Sequence, residues 1–406
     1  MGKGDDTIAL YIHWPFCVSK CPYCDFNSHV RDSVDQAAWA AALLADMAHE
    51  AALTADRKVS SIFFGGGTPS LMPPATVAAL IAAAEAHWGF ADGIEITLEA
   101  NPNSVEIANF AALSEAGVNR ISIGVQSFDA ETLHFLGRAH SADEALRAID
   151  AAQAYFSRVS FDLITARPGQ TLTGWEVELA RALALGTGHL SLYQLTIEPG
   201  TRFQTLFARG DLVLPDEDLS ADLFAATAAM SAAAGLPAYE VSNHARRGEE
   251  SRHNLTYWRY GDYIGIGPGA HGRRGSAGPQ GDGRRGSAGP HGGRRRAGVS
   301  TERHRKPENW LGAVHEHGHG IKAERALTAE TRAVEALLMG LRLAEGVDLS
   351  HIAAMSGVAQ DALVDEQAAT RLAALGLVAQ AGARLTVLPA GMLLLDAILP
   401  QLVAVE

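Results

Sequence analysis

Tyr11-Ile-His-Trp-Pro-Phe-Cys17-Val-Ser-Lys-Cys21-Pro-Tyr-Cys24-Asp-Phe26 holds every cysteine of the 406-residue chain, at the spacing C-x3-C-x2-C. Three thiols cannot all pair as disulfides, and a chain without others is no disulfide scaffold. A structural zinc would want a fourth ligand, for which His13 or His29 stands near, and zinc ligands usually come as two C-x2-C pairs. A cubane 4Fe–4S cluster takes one thiolate per iron, so three thiolates leave one iron open to a ligand. The cluster ranks ahead of zinc, and zinc ahead of three unrelated buried cysteines. An open iron suits chelation by the amino and carboxylate groups of S-adenosylmethionine (SAM).

Along the rest of the chain, apolar β-branched runs fall at 8–13, 59–64, 94–99, 120–125, 159–164 and 190–196. Alanine-rich helical stretches lie between them, at 37–55, 75–87, 105–116, 142–154 and 174–185. Six alternations predict an α/β fold with a parallel sheet and crossover helices, an open or closed β/α barrel. The runs read as continuously apolar, which implies burial on both faces. In such barrels chemistry sits at the C-terminal strand ends. After the first strand come the cysteines, and after the second Gly65-Gly66-Gly67-Thr68-Pro69. The later strands carry or end in Glu99, Gln126, Asp162 and Gln194. The glycine triplet lets backbone approach a ligand closely. It is not a P-loop, because no Gly-Lys-Ser/Thr comes after it.

The net charge of -13 gives no support to nucleic-acid binding. Residues 272–306 are the exception, with ten Arg or Lys against Asp282 and Glu302, a local +8. The octet Gly-Arg-Arg-Gly-Ser-Ala-Gly-Pro occurs twice there, at 272–279 and 283–290. Such composition cannot bury a core and is expected as a disordered loop, preferred over a basic patch for anionic partners. His315, His317 and His319 form a His-rich tract, read as solvated rather than metal-binding. There is no apolar run long enough to span a membrane and no apolar leader before the cysteines, and thiols that hold iron need a reducing compartment. A cytoplasmic location is the expectation.

The pattern Tyr11-Ile-His-x-Pro-Phe-Cys-x3-Cys-x-Tyr-Cys24 resembles the radical SAM proteins of the coproporphyrinogen dehydrogenase group, and within it the heme-chaperone branch. The similarity runs from about residue 8 to 270 and resumes from about 307. The dehydrogenases carry a further cysteine two residues past the third, where this chain has Phe26, and a longer N-terminal extension. His253-Asn254-Leu-Thr-Tyr257-Trp258 is similar to the H-N-x-x-Y-W motif of the chaperones, and Tyr263-Ile-Gly-Ile-Gly-Pro-Gly-Ala-His271 also fits the group. The resemblance implies a radical SAM partial (β/α)6 barrel over 1–235 and a motif segment over 236–271. After the 272–306 loop it implies a small helical, winged-helix-like domain over 307–406.

By resemblance, Cys17, Cys21 and Cys24 hold a 4Fe–4S cluster flanked by Tyr11 and Phe26. Gly66, Gly67, Thr68, Glu99, Gln126, Arg138 and Asp162 bind SAM, with Gln194 and Ile266 on the adenine side. His253, Asn254, Tyr257 and Trp258 form a heme cradle; a lone His in such an aromatic stretch reads either as a structural residue or, as the resemblance implies, as the axial donor that heme wants among apolar side chains. The implied function is heme binding and delivery to acceptor hemoproteins, with an electron donor serving the cluster. Peripheral membrane contact and a homodimer are further expectations. The alternatives are oxidative decarboxylation of coproporphyrinogen III, or another radical SAM reaction such as methyl transfer. A winged helix can bind DNA, but this tail is not basic, so a lid or docking role is preferred. One departure sits at the rim: Thr165-Ala166-Arg167 stands where the family usually reads Tyr-Gly-Leu.

Overall fold

The computed structural model describes residues 7–275 and 298–405. All six expected strands form: β1 (Thr7–Trp14), β2 (Lys58–Gly66), β3 (Phe90–Ala100), β4 (Arg120–Gln126), β5 (Arg158–Thr165) and β6 (His189–Gln194). They pair in parallel in sequence order. Five more join the same sheet: β7 (Asn243–Ala245), β8 (Tyr263–Ile266), β9 (His271–Gly275), β10 (Gly298–Arg303) and β11 (Ile321–Leu327). The order is β11-β10-β9-β8-β1-β2-β3-β4-β5-β6-β7, with two free ends, so the barrel is open. β8 pairs in parallel with β1, a seventh parallel strand inside the motif segment.

The strands are not apolar on both faces, as their composition suggested. They alternate. Val59, Ile62, Leu98, Ile123, Phe161 and Leu192 point outward into one core with Leu43, Leu80, Ile149 and Trp175 of the crossover helices. The opposite face is polar: Arg158 of β5 reaches across β4 to pair with Glu95 of β3, Ser122 meets Asp162, and Ser160 bonds His189. Period-two alternation places each strand's polar set on the concave side.

Local chemistry sets the helix starts. Asp35 caps Gln36–Thr54, Thr171 caps Leu172–Ala184, and Ser141 with Glu144 forms a capping box on Ala142–Tyr155. The helix expected over 105–116 is two pieces, Ser104–Ile107 and Phe110–Glu115. The break comes just past Glu106, whose carboxylate turns into a buried network behind the site.

Residues 272–306 are not loop at their ends. β9 and β10 pair antiparallel, and Arg273, Arg274 and Arg303 are tied to Glu335, to Glu50 with Glu324, and to Asp46 with Glu50. Carboxylates distant in sequence consume the charge that composition assigned to solvent. The repeat's middle, 276–297, lies outside the described residues. The helix Pro307–His317 and β11 also belong to the main body, with Trp310 and Val314 in its core. A second apolar core begins only at Ala333 and runs to Leu402, under the three-stranded wing Val347–Asp348, Arg384–Val387 and Val378–Ala381.

At the departure after β5, Ala166 adopts φ 55, a left-handed conformation that costs a residue with a Cβ about 1 kcal/mol. Ala166→Gly should therefore raise unfolding stability by about 0.5–1 kcal/mol in urea melts. Arg167 is buried in an ion pair with Glu178 and donates to Ser127 Oγ at 2.7 Å. It ties the loop after β5 to the loop after β4 and does not point into the site.

Candidate functional site

The rim at the C-terminal ends of β1–β4 brings the cysteines, the glycines and a chain of polar side chains together. Thr68 Oγ1 donates to Cys17 Sγ at 3.4 Å, and Arg138 Nη1 donates to Cys21 Sγ at 3.5 Å. Asn101 joins these two donors: its Nδ2 donates to Thr68 Oγ1 at 3.2 Å and its Oδ1 accepts from Arg138 Nη2 at 2.6 Å. Arg138 Nη2 also donates to the Gly124 carbonyl at 2.7 Å, and its buried Nε has no partner among the described residues. Burial pushes the Cys17 thiol above its ordinary value; the Thr68 hydroxyl opposes this, and the nearby Cys24 and Cys21 add to it.

Among the described residues no group of three or more His, Cys, Asp or Glu is preassembled as a metal-ligand set, the three thiols included. The thiols do fit a cluster by donor chemistry and proximity, and they ride on a loop whose Val18 and Phe26 are exposed. The glycines supply the rest of the cradle. A Cβ on Gly67 would lie 2.7 Å from the Phe16 carbonyl oxygen, and one on Gly66, at φ 117, would lie 2.6 Å from the His13 ring. A side chain at either position would collide with Phe16 or His13, so only glycine lets the strand end pack this closely beside the cysteine loop.

Beneath the rim lie two carboxyls on the concave wall, each half-open to the lumen. Burial, then the charge of Asp162, pushes Glu99 up to about 8, against the Gly66 N–H and Arg120. Gly66 N–H donates to Glu99 Oε2 at 3.2 Å. Burial raises Asp162 to about 6, opposed by the Ser191 hydroxyl, Arg120 and the Ser122 hydroxyl. Gln126 ends β4 at φ 70, and Tyr11 holds its hydroxyl 3.0 Å from His13 Nδ1. Gln194 is turned aside, donating to the Ser220 carbonyl at 2.7 Å. Ile266 has its side chain in the outer core, so only its backbone is left to face the site.

The helix carrying the heme cradle expected at 253–258 lies behind the rim, its His253 ring against Phe63 and Tyr11 at 5.1 and 6.3 Å between centroids. His253 is 1% exposed. Its Nδ1 lies 2.9 Å from Ser61 Oγ, its Nε2 lies 2.6 Å from Tyr257 Oη, and its N–H donates to Glu95. Burial, then the charge of Arg120, lowers it to about 3. Neither ring nitrogen of His253 is available to an iron in this arrangement. The helix Arg252–Trp258 plugs the concave face and joins it to the C-terminal core: Arg342 lies over the Trp258 ring, Arg259 pairs with Glu345, and Tyr260 bonds Glu335. In the His tract, His315 and His317 are exposed, and His319 packs on His49 with ring centroids 4.2 Å apart.

Three positions that shape the rim carried too weak a signal in the sequence. Asn101 comes two residues after Glu99 in a plain Asn-Pro step, and Glu106 looks like an ordinary helix residue. Asn27 stands just past the cysteines, where its Nδ2 donates to the carbonyls of Pro268 and Arg305 at 2.9 Å each. Each is recognisable only through partners distant in sequence.

Two family models match the chain: the radical SAM superfamily over residues 11–180, and the HemN C-terminal domain over 327–394. A mitochondrial radical S-adenosyl methionine domain-containing protein 1 from Bos taurus is 43% identical, over 86% of this chain and 76% of its own length. The heme chaperone HemW of Escherichia coli is 38% identical over 88% of both chains, and that of Bacillus subtilis 32% over 87% and 88%. Among solved structures, the coproporphyrinogen III oxidase HemN of Escherichia coli aligns with TM-score 0.77 over 98% of this chain and 90% of its own. At 23% identity that likeness shows the fold alone. By the identity and coverage of its relatives, the chain belongs to the radical SAM superfamily, in the family of the heme chaperone HemW.

Proposed function

We propose that the protein binds heme as cargo and passes it to acceptor hemoproteins, with a 4Fe–4S cluster on Cys17, Cys21 and Cys24 and SAM bound across the rim. The observation that carries this is the 38% identity, spread over 88% of both chains, with a protein named for heme chaperoning. When bound, such a cluster supplies a single electron to the SAM sulfonium, its open iron holding the amino and carboxylate groups. The chain's own residues do the rest. Arg138, anchored on Asn101 and Gly124, offers its guanidinium to the SAM carboxylate. Glu99 and Asp162 are set to accept hydrogen bonds from the amino N–H and the ribose hydroxyl groups. Gly66 and Gly67 admit the ligand against bare backbone, Gln126 closes the adjacent edge, and Tyr11 and Phe26 flank the thiols. An electron donor serves the cluster, and the module beyond residue 328 acts as a lid or docking element.

Oxidative decarboxylation of coproporphyrinogen III is the second reading. It rests on the shared fold with HemN, and Phe26, standing where the dehydrogenases carry a further cysteine, weighs against it. Anaerobically reconstituted protein should bind one heme per chain at saturation in an absorbance titration and should leave coproporphyrinogen III unchanged. Growth rescue of a bacterial strain lacking the anaerobic dehydrogenase would overturn the chaperone reading.

His253 serves this function from behind, as part of the barrel plug. His253→Ala should leave the heme absorption spectrum unchanged. It should cost about 2–4 kcal/mol of stability, through a cavity and the buried partners Ser61 and Tyr257 left unbonded. A shifted heme spectrum would return His253 to the role of axial ligand.

A further inference from the structure

We infer that Asn101 is a positioning residue that couples the two hydrogen-bond donors on Cys17 and Cys21, and so tunes the cluster's potential and holds Arg138 for SAM. This rests on the cluster reading above. Thr68 has one hydroxyl proton, which goes to Cys17 Sγ, so it must receive its second bond as an acceptor. Asn101 Nδ2 supplies it at 3.2 Å. Arg138 divides its Nη2 between Asn101 Oδ1 and the Gly124 carbonyl, which leaves Nη1 aimed at Cys21. One amide thus orients both donors.

The amide is itself pinned. Its backbone N–H donates to Glu106 Oε2 at 2.6 Å and its Nδ2 lies 3.3 Å from Glu106 Oε1. Glu106 is 1% exposed. It also takes Asn103 Nδ2 at 2.6 Å and the Ser70 hydroxyl. Only one orientation of the Asn101 amide places its oxygen on a guanidinium and its nitrogen between a hydroxyl and a carboxylate. A buried carboxylate with four donors is a rigid base, and rigid outer partners are what fix ligand direction at metal centres.

Charge sets the sign of the effect. Donors to a cluster thiolate stabilise the added electron and raise the reduction potential. Loosening both donors lowers it. Freeing Arg138 also weakens its grip on the SAM carboxylate.

The test uses the full chain, reconstituted anaerobically, in wild type and Asn101→Ala. Iron and sulfide content, the midpoint potential from a spectroscopic redox titration and the SAM dissociation constant are measured. The expected variant still takes up a cluster, with its potential shifted negative and SAM affinity reduced about tenfold. A loaded variant with wild-type potential and wild-type SAM affinity overturns the inference. A wild type that takes up no iron fails the cluster reading instead. If Asn101→Ala does not fold, Thr68→Val decides: it removes the Cys17 donor and Asn101's partner on that side while leaving Arg138 on Cys21, so a potential unchanged from wild type is then the overturning result.

Discussion

Replacing Cys17, Cys21 and Cys24 together by alanine should drop iron from about four per reconstituted chain to near zero and remove the cluster's visible absorption. The effect is total because the chain has no other cysteine to substitute. It should also be specific. The three residues are only part-buried and belong to none of the apolar cores, so the variant should melt within about 0.5 kcal/mol of the metal-free parent. That contrast separates loss of ligands from loss of fold. SAM binding should fall with the iron, because the amino and carboxylate groups lose their anchor while Arg138 and Glu99 keep theirs. Iron content unchanged in the triple variant would remove the cysteines from the site.

Asp46→Ala should be the most destabilising single change in the main body, at about 3–5 kcal/mol. Asp46 is wholly buried and accepts from Arg303 Nε at 2.7 Å, Trp310 Nε1 at 3.2 Å, and the N–H groups of Gly267 and Gly320 at 3.1 Å each. Removing it leaves a guanidinium that is 0% exposed with Glu50 as its one remaining carboxylate and cancels five bonds, a second one from Arg303 Nη2 included. Burial alone would raise the Asp46 carboxyl. The charge of Arg303, with hydrogen bonds from Arg303, Gly320 and Gly267, reverses this and holds it below its ordinary value. A carboxyl lowered in the folded state stabilises fully above its unfolded value and loses that contribution as pH falls through the folded one. The gap between parent and variant in urea melts should therefore be constant near neutrality and narrow in acid. Asp46→Ala with Arg303→Met should recover most of the loss, since replacing the whole pair leaves no bare charge. A double variant no better than the single one would show that the donors left open on Trp310, Gly267 and Gly320 matter more than the charge. The defect should reach the rim, because Gly267 sits against the His13 carbonyl and Asn27 bonds the next residue, Pro268.

The six parallel strands and most of the crossover helices were legible because they rest on short-range rules. The strands from Ile8 to Gln194 declare themselves by β-branched runs, and the helices between them by alanine-rich composition. The residues just past each strand then mark out the rim. The polar concave face was hidden, although β5 reads Arg-Val-Ser-Phe-Asp-Leu-Ile-Thr, because averaging over a run masks alternation. The role of His253 was hidden for a different reason. An aromatic-rich motif with one histidine looks the same as a ligand site or as a plug until Ser61, Glu95 and Tyr257 are seen around it. The arginines of 272–306 were misjudged by local composition, since Glu50, Asp46 and Glu335 that neutralise them lie far away along the chain.

Local sequence determined the six consecutive parallel strands, the presence of three thiols suited in kind and number to a cluster, and that both gather at one end of a parallel sheet. Spacing and propensity act over a few residues, so they survive without the fold. Tertiary structure alone decided that Asn101 links Cys17 to Cys21 through Thr68 and Arg138, that Asp46 closes over Arg303, and that His253 turns inward with both nitrogens spent. Those outcomes depend on hydrogen bonds between residues brought together only when the sheet curls, and a buried polar group takes its role from whichever partner the fold delivers.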